Sequence, residues 1–115
     1  MTSIGNGAFY TCYNLAEITI PSTVTSLGEQ VFYACNSLRS ITVPAGVTSI
    51  GKSCFYNCYG IREYHFLSTT PPTLGVTVFN GIVSDTVIYV PQGCLSAYQA
   101  TSGWSAYASY LREES

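Results

Sequence analysis

Charge is what this sequence has least of. Only 9% of its residues are Asp, Glu, Lys or Arg, against the ~25% usual for soluble domains. The formal charge is −2, from 4 cationic and 6 acidic side chains. That balance leaves no basic footprint and argues against a nucleic-acid partner. No apolar run approaches the ~18 residues a membrane-crossing helix needs. No N-x-Ser/Thr acceptor occurs. Gly5-Asn6-Gly7 is followed by neither a Lys nor a long helical pattern, so it is not a phosphate loop. No leader is read, because Met1 runs directly into patterned sequence; the start reads as cut from a larger protein. With so few charges, the surface has to be built from Thr, Ser, Asn and Tyr.

What is present is repetition. Residues 2–24 read TSIGNGAFYTCYNLAEITIPSTV and residues 25–47 read TSLGEQVFYACNSLRSITVPAGV. Residues 48–70 are a looser copy, TSIGKSCFYNCYGIREYHFLSTT, so the period is 23 residues. A fixed period in this range marks a repeat array whose units bury their apolar faces only by stacking. The aligned columns name the core: Ile4, Leu27, Ile50; Phe9, Phe32, Phe55; Cys12, Cys35, Cys58; Leu15, Leu38, Ile61; Ile18, Ile41, Tyr64; Ile20, Val43, Phe66. After a one-residue slip, Leu74, Phe79, Ile88, Val90 and Pro91 continue the spacing over residues 71–93. Ile82 and Asp85 break the pattern there, as a terminal unit does.

The pattern I-G-x-x-x-F-x-x-C-x-x-L-x-x-I-x-I-P resembles the BspA-like leucine-rich repeats, a bacterial surface-protein family also called the treponemal type. The ending is similar to that family's usual terminus in Pro71-Pro72-Thr73-Leu74, Val87-Ile88-Tyr89-Val90-Pro91, Ala97-Tyr98 and Trp104. The resemblance implies an α/β repeat solenoid: a right-handed leucine-rich-repeat coil serving as a non-enzymatic binding scaffold at the cell surface or outside the cell. It does not imply one partner, because such scaffolds bind varied ligands.

Each unit contains a strand candidate. Glu17-Ile18-Thr19-Ile20 alternates and is β-branched, with Ile18 and Ile20 inward. Residues 40–43, 63–66 and 87–90 are its counterparts, and stacking them predicts a parallel sheet with strands about 4.8 Å apart. Pro21, Pro44 and Pro91 end these strands. Segments 7–12, 30–35 and 53–58 are predicted to form a turn or two of 3₁₀ or α structure. A further extended piece is expected over 24–27 and 47–50. Residues 68–73 form a rigid break at Pro71-Pro72. Residues 94–111 predict two short helices that cap the last coil, after which 112–115 fray.

The five cysteines all take the place of apolar residues. Cys12, Cys35 and Cys58 form a core column, Cys54 aligns with Ala8 and Val31, and Cys94 aligns with Val24 and Val47. Cys12, Cys35 and Cys58 are expected to be buried, reduced and free of metal. Zinc would need two close pairs, and only Cys54 and Cys58 approach that spacing. A hydroxyl in the cysteine column is expected to lack a partner.

The candidate binding surface is the outward strand face. Its rows are Glu17, Ser40, Glu63 and Val87, then Thr19, Thr42, His65 and Tyr89, with Ala16, Arg39, Arg62 and Thr86 flanking. Arg39, Arg62, Glu63, His65, Thr19, Thr42 and Tyr89 are the binding candidates; the alternative is a solvated face with no ligand. Tyr10, Tyr33 and Tyr56 form a second ladder, either an interface or rings packed along the coil edge. His65 has Glu63 and Ser40 nearby but no assembled nucleophile, base and orienter, which argues against catalysis. The preferred reading is a module that binds a host or matrix protein, or another cell-surface component, without a cofactor. The alternative is a purely structural stalk or cap within a longer repeat protein. The first coil offers an uncovered apolar end, from which an end-to-end homodimer is expected.

Overall fold

The computed structural model describes residues 2–114. Two narrow parallel sheets run along the stack. The first is built from two-residue strands, β1 Ser3–Ile4, β2 Ser26–Leu27, β4 Ser49–Ile50 and β6 Thr73–Leu74, in the order β1-β2-β4-β6. The second contains β3 Ser40–Val43, β5 Glu63–Phe66, β7 Val87–Val90 and β8 Leu111–Glu113, in the order β3-β5-β7-β8. The pairing register matches the sequence columns: Leu27 lies opposite Ile50, and Ile41 opposite Tyr64. Strands β3 and β7 stop directly before Pro44 and Pro91, which have no N–H to continue a ladder.

The core lies between the sheets. The rings of Phe9, Phe32, Phe55 and Phe79 stack nearly parallel, with successive centroids 5.4, 5.5 and 5.8 Å apart. The apolar columns around them are closed in the inner coils and open in the first. Phe32, Cys35 and Leu38 are fully buried, whereas Phe9, Cys12, Leu15 and Ile18 are only partly covered.

The structure departs from expectation in five places. Residues 17–20 form no strand; the edge of the second sheet is β3. The alternating pattern of these residues orients Ile20 inward but makes no ladder to β3.

Segments 7–12, 30–35 and 53–58 are stacked turns, not helices. Within each, alternate N–H groups leave the segment for the next coil. Phe9 N donates to Val31 O (2.9 Å), Thr11 N to Tyr33 O (2.8 Å), and Ala34 N to Tyr56 O (2.7 Å). A helix would keep those donors for itself. The turn Phe32-Ala34-Cys35 closes with Cys35 N on Phe32 O and puts Ala34 at φ 59°, in the left-handed region. Thr11, Asn57 and Gly81 take the same place in their coils. For a non-glycine residue this conformation costs roughly 1–2 kcal/mol, offset by the bond to the next coil.

The cysteine column is not purely apolar. Cys35 Sγ donates to Phe9 O (3.1 Å) and Cys58 Sγ to Phe32 O (2.8 Å). A serine hydroxyl there would therefore meet a carbonyl, contrary to the expectation that it lacks a partner. Burial pushes the Cys35 thiol up to about 11 and the Cys58 thiol up to about 12, against hydrogen bonds that lower both. Burial raises Cys54 as well. All five thiols are free, but Cys12 is only partly buried, because no coil covers it.

Residues 112–114 do not fray. After α1 Leu95–Ala100 come two 3₁₀ turns over Ser105–Tyr110, joined at Tyr107. Strand β8 then pairs with β7, Ile88 opposite Leu111 and Tyr89 opposite Arg112. Its signal was in the period, since Leu111 stands 23 residues after Ile88. Ser115 and Met1 lie outside the described residues. Finally, Thr86 is not on the outer face: it is buried, and its hydroxyl donates to Ile61 O at 2.8 Å.

Candidate functional site

Side chains alternate across a strand, so the residues between the buried Ile41 and Val43, Tyr64 and Phe66, and Ile88 and Val90 face outward. Register then aligns Thr42 with His65, His65 with Tyr89 and Tyr89 with Arg112. A second row aligns Ser40 with Glu63 and Glu63 with Val87. Thr42, Arg39, Arg62 and Glu63 are exposed, while His65 and Tyr89 are partly covered. Thr19 is exposed but belongs to the unpaired first-coil segment, outside the sheet.

The centre of the face is His65. Its ring stacks on Tyr89, centroids 5.0 Å apart and 11° from parallel. Nδ1 meets Glu114 Oε2 at 2.5 Å and Nε2 meets Glu63 Oε1 at 2.9 Å. Both ring nitrogens are thus engaged by carboxylates, which leaves neither free to accept a proton from a substrate. Glu114 was missed because it lies 49 residues from His65 and only the β8 pairing brings it there.

Partial burial pulls the His65 pKa down, but the hydrogen bonds to Glu114 and Glu63, and their charges, outweigh it and hold the value above the ordinary 6.5. A raised folded value stabilises the protein below the unfolded pKa, and that contribution is lost as pH rises through the folded one. Since Glu114 follows β8, this contact fastens the last strand to the sheet. Comparing His65→Gln with the parent protein, the difference in melting temperature should be largest below about pH 6 and fade at alkaline pH. A pH-independent difference would contradict the assignment.

The tyrosine ladder lies elsewhere, on the turn edge. Tyr10, Tyr33 and Tyr56 stack with centroids 4.8 and 4.9 Å apart. The rings follow the coil spacing, with Tyr10 exposed and the other two partly covered.

The comparison that decides the family is with family models. The model described as the BspA-type leucine-rich repeat region (6 copies) matches residues 1–101. The chain belongs to the BspA-type leucine-rich repeat family. Repeats of this family are generally protein-interaction modules rather than enzymes. No curated protein matches the chain significantly. Within this BspA-type repeat, the described residues contain no helix long and apolar enough to cross a membrane.

Proposed function

We propose that this chain is a non-enzymatic binding module of a bacterial cell-surface or secreted protein, and that it engages a host or matrix protein through its outer strand face. The observation that carries the reading is the in-register row Thr42, His65, Tyr89, Arg112. Each rung adds one side chain, and the Tyr89–His65 stack makes the middle of the row flat and rigid. Preorganised aromatic area of this kind costs little entropy to bind. Glu63, Arg39 and Arg62 supply a polar rim, with Thr19 at its far end. The surface location follows the habit of the family.

In a screen against immobilised matrix proteins, Tyr89→Ala should weaken a genuine ligand by about fivefold or more, the loss expected of a contributing interface aromatic. The melting temperature should stay close to that of the parent. Normal binding by Tyr89→Ala would move the site off this face, with the Tyr10, Tyr33 and Tyr56 ladder next to be examined.

The first coil supports a second contact. Ile4, Ala8, Phe9, Leu15, Ile18 and Pro21 line an open apolar groove, the face that every inner coil buries against its neighbour. Its occupant in the isolated chain is a second copy, meeting end to end in a closed two-fold pair. Light scattering after gel filtration should give a dimer mass at high concentration; a clean monomer rejects the pairing. A purely structural stalk is the second reading, favoured by that same stacking face.

A further inference from the structure

Beside the strand face lies a groove lined by Asn36, Arg39, Tyr59, Gly60 and Arg62. Two of the chain's four cationic residues meet there, and among the described residues neither pairs with a carboxylate. Unpaired guanidinium groups are common on surfaces, but these two are held in place. Arg39 Nη1 donates to Asn36 O at 3.2 Å, and Arg62 Nη1 donates to the corresponding carbonyl one coil on, Tyr59 O, at 2.7 Å. The Arg39 guanidinium lies over Gly60, where a Cβ would collide with its Nη1 and with Asn36 O. Each arginine therefore spends one nitrogen on anchoring and keeps its Nη2 and Nε donors for something else.

The wall is fixed too. With its amide turned to satisfy its neighbours, Asn36 donates to Ala34 O (3.0 Å) and Asn57 O (2.8 Å) and accepts from the Tyr59 hydroxyl at 3.2 Å. This ties the half-exposed Tyr59 side chain to the wall of the groove. It also uses both Asn36 amide N–H groups, so the groove offers fixed guanidinium donors, an aromatic face and no carboxylate. A carboxylate needs only the two forks, which match it bidentately.

We propose that this groove is an anion site for an acidic protein segment, its two arginines each taking one carboxylate of an Asp or Glu pair. The coil step sets the arginines about 4.8 Å apart along the stack. Carboxylates four residues apart on a helix, with Cβ atoms about 5–6 Å apart, fit that spacing. The inference rests on the binding-module reading and names the chemistry of its partner at the rim of the strand face.

The test uses a fluorescent helical host peptide with Glu at two positions four apart, its Gln counterpart, and a heparin oligosaccharide. Binding to the full chain is followed by anisotropy. The Glu peptide should bind about tenfold more tightly than the Gln peptide, the discrimination expected of a charge-assisted pair. Arg39→Gln and Arg62→Gln should each remove most of that difference while melting like the parent. Raising salt from about 0.05 to about 0.5 M should erode it. Equal binding of the Glu and Gln peptides, unaltered binding by both variants, or binding of heparin but not the Glu peptide would each overturn the proposal. The two readings fail separately. A matrix ligand weakened by Tyr89→Ala, together with equal binding of the Glu and Gln peptides, leaves the strand face and removes the groove. Selective Glu-peptide binding, with no protein ligand sensitive to Tyr89→Ala, leaves the groove and removes the strand face.

Discussion

Replacing Trp104 by alanine is expected to destabilise the chain by about 3–5 kcal/mol, the range for truncating a large buried aromatic. Trp104 has no exposed surface and sits where the C-terminal segment packs against the end of the phenylalanine stack. Its ring meets Phe66 and Tyr98 edge-on at 4.9 Å each, and Phe79 at 5.7 Å. Its Nε1 donates to Pro72 O at 2.8 Å, and the neighbouring Tyr98 hydroxyl donates to Ser68 O at 2.6 Å. Two cap side chains thus satisfy carbonyls of the break between the third and fourth coils. Losing the indole opens a cavity at the end of the phenylalanine stack and frees α1 and the 3₁₀ turns that lead into β8. Trp104→Phe separates the two contributions. It keeps most of the ring contacts but strands the buried Pro72 carbonyl, at about 1–3 kcal/mol. Urea denaturation followed by circular dichroism reads both variants. A Trp104→Ala loss below about 1 kcal/mol would mean that the cap and the coils unfold independently.

Gly51→Ala should be nearly as damaging, for the opposite reason. Gly51 follows β4, and its N–H donates to Leu27 O at 2.9 Å. A Cβ there would stand 2.5 Å from both C and O of Gly28 and 2.7 Å from Glu29 N. Those atoms are backbone and cannot swing aside as a side chain would. Gly28 and Gly75 occupy the same place in their coils, with backbone atoms at 2.8 and 2.6 Å from their own would-be Cβ. Neighbouring coils touch main chain to main chain along this line. Overpacking usually costs about 1–3 kcal/mol, and the rigid surroundings place Gly51→Ala at the top of that range. Gly46→Ala is the control: its Cβ would meet only ordinary contacts, the nearest Val24 O at 3.6 Å. If the two variants melt alike, the coils are not in backbone contact at Gly51.

The glycine column was in plain view as the second letter of each Ile-Gly or Leu-Gly pair, yet its meaning depends on the distance between coils. The same division runs through the molecule. The period of 23 residues determined which side chains face inward, because a residue that recurs once per coil must point the same way relative to the stacking axis. It therefore identified Phe32, Leu38, Ile41 and Ile61 as core, all 0–2% exposed, and aligned Thr42, His65 and Tyr89 on one outer row. Side-chain direction is a local property of the backbone, and local pattern carries it.

Hydrogen-bond partners are not local. Glu17-Ile18-Thr19-Ile20 has the same alternation as Ser40-Ile41-Thr42-Val43, but only the latter is a strand, because a strand exists only where a neighbour's carbonyls and N–H groups meet its own. The segments around Phe9, Phe32 and Phe55 read as a turn or two of 3₁₀ or α structure. The next coil drew off alternate N–H groups and with them the left-handed residues Thr11, Ala34 and Asn57. Leu111 kept the period, but the polar residues after it hid a strand that β7 imposes by pairing. That strand carries Arg112 to the row and Glu114 to His65. Stacking likewise lays Arg39 over Gly60. Sequence alone decided which way the columns of the repeat point, Thr86 excepted; the tertiary structure decided what each polar group meets, since those partners come from other coils.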